Sequence, residues 1–180
     1  MRLITALTLA TLPVLALAQP IDAAKSQIGF TMKQLNVPVD GRFKAFNANI
    51  DFDPAKAAAG RADITIQTGS IALPTRDAEG EAKKKEWFNT TQFPTARFVT
   101  SSIKPLGGDR YQFSGKLTIK GTTRDVSAPF TAKSTGGQTL VEGVLPISRT
   151  AYKIGEGEWA DDGTVADAVQ IKFKVALNGK

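Results

Sequence analysis

The amino-acid sequence predicts an all-β domain of about eight strands, arranged as a closed antiparallel barrel or as a two-sheet sandwich. Apolar and polar residues alternate along most of the chain, and this period is typical of half-buried strands. Hairpin-length turn signals such as Gly136-Gly137 separate the alternating stretches. A single charged, alanine-rich segment departs from the period and predicts one short helix.

The N-terminal segment has the pattern of a secretory signal peptide. Arg2 precedes an uncharged apolar run, and Ala16-Leu17-Ala18 has the small-x-small form of a cleavage site. The run is shorter than the roughly 20 residues that a membrane-spanning helix needs, and Pro13 interrupts it. The sequence therefore predicts a signal peptide over residues 1–18 and one exported domain over residues 19–180.

The first part of this domain is predicted to contain three strands and a short continuation. The strands are predicted over residues 26–33, 42–53 and 61–67, and residues 70–73 continue the sheet after Gly69. Within the second strand, Phe43 is out of step with Phe46. Both rings can share a face only if a bulge or a sharp bend separates them.

The second part begins with the predicted helix, which covers residues 75–89 and ends in the aromatic pair Trp87-Phe88. Five strands are predicted after it, over residues 96–103, 110–120, 124–133, 139–148 and 169–177. The last strand has the clearest alternation, because Val169, Ile171 and Phe173 face one way while lysines face the other. The sequence contains no internal repeat and no linker, so one domain is predicted.

The composition excludes several classes of chemistry. The chain has 180 residues with no cysteine and no histidine, so disulfides, thiolate nucleophiles and the commonest transition-metal ligands are absent. The net charge is +6, but the one dense basic cluster, residues 83–85, is flanked by glutamates. We therefore expect no metal, no cofactor and no nucleic-acid partner.

Carboxylates offer the remaining route to catalysis, because glycoside hydrolysis needs two of them across the scissile bond. Asp51 and Asp53 share a strand face, but that face is opposite to the apolar set and points to solvent. Asp161-Asp162 precedes a glycine and is typical of a turn. A carboxylate-only hydrolase is an alternative that these positions do not favour, so no enzymatic activity is predicted.

The inward faces of the predicted strands are rich in phenylalanine. Eight of these rings fall in phase with the apolar sets: Phe30, Phe43, Phe46, Phe52, Phe98, Phe113, Phe130 and Phe173. A barrel of eight strands is either filled by its own side chains or holds one small ligand. Composition alone favours a packed core, since most apolar stripes are core. Alternation does not distinguish a filled barrel from a hollow one.

Several motifs occur in an order that resembles the YceI-like family of exported lipid-binding proteins, also called the polyisoprenoid-binding family. Three of them are fairly specific: the G-K-L-T-I-K-G strand at 115–121, the W-F-N and F-P-x-A-x-F block between 87 and 98, and R-x-x-Y-x-I-G at 149–155. Ser26-x-Ile28-x-Phe30 and Arg76-Asp77 also match. Many relatives carry a His-Leu pair shortly after the Arg-Asp, and this chain does not.

The resemblance implies a lipocalin-like antiparallel β-barrel in the periplasm, with the short helix near the barrel mouth. It also implies an elongated apolar tunnel that holds a long-chain isoprenoid, such as a polyprenyl or quinone-type tail, without catalysis and without a metal. This implication changes the expectation for the inward faces from a packed core to a ligand channel.

The residues that would serve such a channel follow from their positions in the pattern. Eight are expected in the wall: Phe30, Phe43, Phe46, Ile64, Phe98, Phe113, Leu117 and Phe130. Four are expected at the rim or in a lid: Trp87, Phe88, Tyr152 and Trp159. Arg76 or Arg149 is expected to meet an anionic or carbonyl head group. The alternative for each arginine is a structural ion pair.

Together these observations predict a periplasmic carrier for a long apolar lipid that does not span the membrane. The alternative is a secreted protein-binding or inhibitor module built on a packed barrel with no small ligand. The sequence leaves open whether two barrels pair as a homodimer.

Overall fold

A computed structural model of the protein describes residues 18–179, and within them a single antiparallel sheet of ten strands curls into a half-barrel. The strands are β1 Gln27–Gln34, β2 Val37–Phe43, β3 Phe46–Asp51, β4 Arg61–Gln67, β5 Ile71–Ala72, β6 Thr95–Gly107, β7 Arg110–Ile119, β8 Thr122–Thr135, β9 Gln138–Ser148 and β10 Ala168–Asn178. The helix α1 is Arg76–Ala82, and short 3₁₀ turns cover Ala23–Lys25, Pro54–Ala59, Thr68–Ser70, Thr150–Tyr152 and Gly157–Trp159. The predicted all-β, lipocalin-like fold is confirmed. All of the predicted signal peptide except Ala18 lies outside the described residues.

The order of strands in the sheet is β3-β4-β6-β7-β8-β9-β10-β1-β2-β5. The run from β6 to β10 is a meander in which each strand pairs with the next, and β1 then pairs with β10. The two edge strands, β3 and β5, form no ladder with each other, and hydrogen bonds join the segments beside them. The Lys44 and Ala45 amides donate to the Ser70 carbonyl and Oγ at 3.1 and 3.0 Å.

Two-residue turns determine the register of three hairpins. Both residues have positive φ in Lys120-Gly121 (47° and 71°), in Gly136-Gly137 (58° and 79°) and in Leu35-Asn36 (49° and 63°). Turns of this kind match the right-handed twist of the strands that they join. The sequence predicted Gly136-Gly137 from its glycines. The strand predicted over residues 110–120 ran one residue into the Lys120-Gly121 turn, and Leu35-Asn36 carries no glycine and was not predicted.

The predicted strand over residues 42–53 is wrong in its bounds and correct in its bend. The structure has β2 over Val37–Phe43 and a separate β3 over Phe46–Asp51, with a break at Lys44-Ala45. The break explains why Phe43 and Phe46 are out of step. The extra strand β2 and the two-residue β5 raise the number of strands from the predicted eight to ten.

The predicted helix is also shorter than expected. It begins after Thr75, whose Oγ1 accepts from the Ala78 amide at 3.2 Å, and it ends at Ala82. Gly80 weakens the helix, and the chain then turns, with the Phe88 amide bonded to the Ala82 carbonyl at 3.0 Å. This turn directs Trp87 and Phe88 back toward the interior of the half-barrel, where both line a cavity.

Glycines on the strands make room for aromatic rings on the inner face. A Cβ on Gly41 would lie 2.8 Å from both Cε atoms of the Phe30 ring and closer still to its Cζ, and a Cβ on Gly115 would lie 2.6 Å from Cε2 of the Phe98 ring. Each ring therefore lies across the backbone of a neighbouring strand, a contact that any side chain at the glycine would block. The sequence did not predict these glycine–phenylalanine contacts.

Candidate functional site

The interior of the half-barrel is hollow rather than fully packed. It contains a cavity of about 200 Å³ and a second of about 120 Å³. Four side chains line both, so the two spaces adjoin: Ile28, Ile66, Leu117 and Ile171. A cavity needs only about 10–15 Å³ to hold one water, so each space is much larger than a packing defect.

Inward-facing apolar side chains also keep part of their surface uncovered. Ile66 on β4, Phe43 on β2 and Ile171 on β10 line the interior, yet each is only half-buried. In a close-packed core such side chains would touch neighbours on all sides. Their partial exposure is therefore internal surface that faces the cavities.

The larger space, the mouth cavity, lies beneath α1 and the β1–β2 hairpin. Ala78 and Glu81 of α1 border it on one side, and Met32 and Gln34 of β1 border it on the other. Gln34 is the exposed residue among those that line it. The cavity therefore meets the protein surface beside Gln34. Gln34, Glu81 and Arg149 are the polar side chains in its mostly apolar wall.

The smaller space, the deep cavity, is surrounded by contacts between aromatic rings. The Phe113 ring centroid lies 5.1 Å from that of Phe98, 6.2 Å from that of Phe130 and 5.9 Å from that of Phe173. Phe52 adds an edge contact to Phe130 at 5.7 Å. Edge and tilted arrangements at these distances are favourable, so rings both line the cavity and stabilise its wall.

The structure places eleven of the fourteen predicted site residues along these cavities. The mouth cavity is lined by Phe30, Phe43, Trp87, Phe88, Arg149 and Trp159, the deep cavity by Ile64, Phe98, Phe113 and Phe130, and both by Leu117. Ile28, Ile66 and Ile171, which line both cavities, were not chosen from the sequence. Their signal is present in the sequence as inward positions in the same alternation, but an aliphatic residue at such a position is equally typical of a packed core.

Three predicted residues do not line either cavity. Phe46 begins the edge strand β3, opposite Ile66, and remains outside both spaces. Arg76 is exposed at the start of α1. Tyr152 is buried with 2% of its surface exposed, which rules out a position at an exposed rim, and it lines neither cavity. Burial raises the pKa of its hydroxyl, which is therefore neutral at physiological pH.

Arg149 is buried and holds a loop instead of presenting a free guanidinium. Its three nitrogens donate to six backbone carbonyls at 2.8–3.3 Å, those of Ile154, Gly155, Trp159, Asp161, Val165 and Ala166. Burial lowers the pKa of the Arg149 guanidinium, and the negative charges of nearby aspartates act in the opposite direction. Because a guanidinium has five N–H donors, these bonds occupy it fully. Arg149 therefore has a structural role and does not offer a free guanidinium to a head group. Its partners are backbone carbonyls, whereas the alternative considered from the sequence was an ion pair.

A second buried cation, Lys120, holds the same loop, and we call residues 149–167 the covering loop. The Lys120 ammonium donates to the Lys153 carbonyl and to Glu156 Oε2, both at 2.8 Å. This hydrogen bond lowers the pKa of the Glu156 carboxyl. Lys120 belongs to the G-K-L-T-I-K-G strand, but the sequence gave no sign that its side chain is buried, with 5% exposed.

Trp87 connects the covering loop to the mouth cavity. Its ring lies 5.5 Å from that of Trp159 and 5.7 Å from Arg149 Cζ. Its indole Nε1 is buried without a hydrogen-bond partner among the described residues. The predicted rim aromatics Trp87, Phe88 and Trp159 are therefore part of the cavity wall, where α1 and the covering loop meet.

The carboxylates considered for catalysis have local structural contacts. Asp53 Oδ1 accepts from the Ala55 amide at 2.9 Å and caps a 3₁₀ turn. Asp161 Oδ1 accepts from the Gly163 amide at 2.7 Å. Within residues 18–179, no group of three or more Asp, Glu, Cys or His side chains has the arrangement of a metal site.

Comparison with known protein families gives the identity of this fold. The family model for the YceI-like domain matches residues 20–177. The chain belongs to the YceI-like family. The match covers almost all of the described residues of this YceI-like chain, and it confirms the resemblance that the motifs indicated.

Solved structures agree with the family assignment. The crystal structure of BcnA from Burkholderia cenocepacia is 45% identical to this YceI-like chain, with a TM-score of 0.86 over 88% of this chain and 100% of that one. A polyisoprenoid binding domain from Saccharophagus degradans has a TM-score of 0.73 over 91% of this chain and 99% of that one. Its identity is 16%, so that likeness is one of fold.

Curated relatives match over shorter stretches. A UPF0312 protein of Shewanella denitrificans is 30% identical over 105 residues, which are 58% of this chain and 55% of that protein. Protein YceI of Shigella flexneri is 32% identical over 87 residues, or 48% and 45% of the two chains. The YceI-like chain thus spans about half the length of the curated relatives that it matches.

The helices among the described residues are all too short or too polar to cross a bilayer.

Proposed function

We propose that this YceI-like chain is a non-enzymatic periplasmic carrier that holds a long-chain isoprenoid, or a similar amphiphilic lipid, in its two adjoining cavities. One observation carries the proposal: the interior contains about 200 Å³ and 120 Å³ of space with almost wholly apolar walls and four shared side chains. A folded domain normally fills its core. Two adjoining apolar spaces inside one half-barrel are the form of a site for an extended apolar ligand.

The energetics favour a chain-like ligand. Each methylene that leaves water gains about 0.8 kcal/mol, so an isoprenoid tail that extends from the mouth cavity into the deep cavity gains with every unit buried. The deep cavity offers rings and branched aliphatic side chains, and these contacts depend on shape more than on chemical detail. We therefore expect weak discrimination between tails of neighbouring length.

The polar end of the ligand is expected at the opening of the mouth cavity. Gln34 and Glu81 line the mouth cavity with Arg149 as its polar side chains, and Arg149 is occupied by the covering loop. Glu81 Oε2 accepts a hydrogen bond from Lys84 Nζ, which leaves the other carboxylate oxygen and the Gln34 amide for a head group. An amide and a carboxylate favour a head group that donates hydrogen bonds, such as a hydroxyl or a phenol. The fold of the Saccharophagus degradans domain, which is described as polyisoprenoid binding, supports the tail class.

Extraction of the purified protein with organic solvent, followed by mass spectrometry, tests the proposal. We expect a long-chain lipid in a stoichiometric amount. The Ala78→Trp variant, which places an indole into the mouth cavity from α1, should lose that lipid. Gly80→Trp is the matched control, because a side chain at Gly80 on the same helix meets nothing within 4 Å, and it should retain the lipid.

Two results would count against a carrier. An extract of the parent protein without lipid, together with no uptake of added polyprenol, would leave a compact exported module with no small ligand. Retention of lipid by Ala78→Trp at the level of the parent would place the ligand outside the mouth cavity.

A further inference from the structure

The tip of the β1–β2 hairpin, residues 35–38, presents apolar side chains to solvent. Leu35 is 68% exposed and Val37 is 61% exposed, the highest values among the large apolar residues of the described chain. Pro38 beside them is exposed as well. Neither side chain lines a cavity, so packing inside the half-barrel does not account for them.

The backbone at the tip is also unfavourable for the residue that occupies it. Leu35 has φ of 49° and Asn36 has φ of 63°, a turn in which Asn and Gly are strongly preferred at both positions. A leucine in the left-handed region is sterically strained, and its exposure gives the fold no burial in return. A residue whose backbone is strained and whose side chain is not buried in the core indicates a function at that position.

The rest of the structure holds this tip in a defined place beside the mouth cavity. The Leu35 amide donates to the Thr164 carbonyl at 2.8 Å, and the Ala166 amide donates to the Lys33 carbonyl at 2.9 Å. These bonds fix the hairpin to the covering loop. Gln34, the residue before the tip, is the exposed residue of the cavity lining, so the apolar tip adjoins the opening.

The size and shape of the tip indicate what covers it. A stable protein interface buries about 800 Å² on each partner, which two side chains and a proline on a convex hairpin do not supply. Insertion among lipid head groups has no such minimum area, because its strength scales with the apolar surface that is inserted. The local charge is mixed, because Lys33 makes no ion pair within the described chain while Asp161 and Asp162 lie near Thr164. Apolar insertion is therefore the main source of affinity.

We propose that the hairpin tip docks on a lipid bilayer and brings the opening of the mouth cavity against it. This inference rests on the proposed carrier function, since the docked orientation lets a lipid tail pass between the bilayer and the cavity without crossing water. Leu35 and Val37 insert among the head groups and acyl chains, and Gln34 remains at the boundary beside the opening.

Flotation with vesicles of phosphatidylethanolamine and phosphatidylglycerol tests the docking. The double variant Leu35→Asn/Val37→Thr should reduce vesicle partitioning about tenfold or more, because it removes the inserted apolar surface. Its thermal stability should equal or exceed that of the parent, since Asn suits the positive φ. The matched control is Leu106→Asn/Val144→Thr, which removes exposed apolar side chains (46% and 42% exposed) that do not line the cavities. This control should float like the parent.

Failure of the docking and failure of the carrier function give different results. A parent protein that retains lipid but does not float, or a tip variant that floats as well as the parent, overturns the docking alone. An equal loss in the Leu106/Val144 control shows general apolar adhesion and also overturns it. A parent that floats but yields no lipid on extraction, and takes up none, overturns the carrier and leaves the docking supported.

Discussion

The two halves of the interior are stabilised by different forces. Around the deep cavity, rings pack against one another: Phe52 lies 5.2 Å from Tyr111, and Tyr111 lies 5.4 Å from Phe130. Around the mouth cavity, the covering loop is held by two buried cations, Arg149 and Lys120, which donate to its carbonyls. The deep half therefore depends on apolar packing, and the mouth half depends on hydrogen bonds.

The difference follows from the need to keep space open. A loop above an empty cavity has few apolar neighbours below it, so packing alone does not hold it in place. Hydrogen bonds from a buried guanidinium are directional and strong, and they fix the loop from the side. The mouth half can thus stay hollow for a ligand and keep a defined wall.

The largest effect is expected from removing the guanidinium that holds the mouth half. Arg149→Met keeps much of the side-chain volume but leaves several buried carbonyls without donors, which should lower the free energy of unfolding by about 4 kcal/mol or more. Urea unfolding measures the loss, and hydrogen exchange should show residues 154–166 opening first. Arg124→Met is the control, because the exposed Arg124 donates to a single carbonyl, that of Ala151. If the Arg149→Met protein is as stable as this control, hydrogen bonds from Arg149 do not stabilise the mouth half.

The next effect compares one ring from each half. Phe130→Ala removes a buried ring with contacts to Phe52, Tyr111 and Phe113, and it should cost about 3 kcal/mol. Phe88→Ala removes a half-buried ring that already borders empty space, so about 1–2 kcal/mol is expected.

Lipid retention should not follow the order of stability of the two variants. Phe88→Ala widens the mouth cavity and should weaken lipid retention more than its small effect on the free energy of unfolding suggests. Chemical unfolding and lipid extraction on the same preparations provide the comparison. Equal costs of unfolding for the two variants would mean that the mouth half is packed as tightly as the deep half.

Much of the fold could be predicted from the sequence, because strand periodicity is local. The strand at Arg61–Gln67 was predicted with its observed bounds, and β7 and β10 within one residue at each end. The prediction failed where a local signal was missing. Leu35-Asn36 is not a recognisable hairpin turn, so most of β2 was missed. The charged residues after Ala82 continue the helical pattern of the sequence although the chain turns there, so the helix was predicted too long.

The candidate site was only partly predictable, for two physical reasons. Alternation gives the same pattern for a filled and for a hollow interior, so the cavities followed from the family resemblance and not from the period. The partners of Arg149 are backbone carbonyls, and Lys120 donates to the Lys153 carbonyl as well as to Glu156, a set that only the folded covering loop brings together. No residue type marks such carbonyls in a sequence, so the burial of both cations was not predicted.

A smaller effect is expected where strand glycines accommodate rings. In Gly115→Ala the new Cβ would lie 2.5 Å from the Val99 carbonyl oxygen and 2.6 Å from the Phe98 ring, which should cost about 1–3 kcal/mol as both the β6 backbone and the ring shift. Gly80→Ala is the matched control in open space on α1 and should stabilise the protein by about 0.5–1 kcal/mol. Thermal unfolding measures both. A neutral Gly115→Ala variant would show that the deep half yields readily, contrary to the packing described above.

The smallest effect is a pH dependence that belongs to the mouth half. Burial acts to raise the pKa of Asp167, but hydrogen bonds from Thr150 and Ser148 and the charge of Arg149 lower it overall. The hydrogen bond from Lys120 likewise lowers the pKa of Glu156. A carboxyl whose folded pKa lies below its unfolded value stabilises the fold above the unfolded pKa, and this contribution is lost as the pH falls through the folded pKa.

Acidification below about pH 4 should therefore weaken the covering loop before the ring cluster around the deep cavity, which has no carboxyl among its rings. Hydrogen-exchange protection factors for residues 150–167 should fall relative to those of β7 as the pH drops below about 4, through the lowered pKa values of Asp167 and Glu156. Asp167→Asn keeps the size of the side chain and removes its titration, so its covering loop should start from lower protection and change less with pH. Equal loss of protection in β7 and the covering loop would mean that acid acts on the whole sheet, for instance through exposed pairs such as Asp63–Arg97. The two halves would then not be stabilised independently.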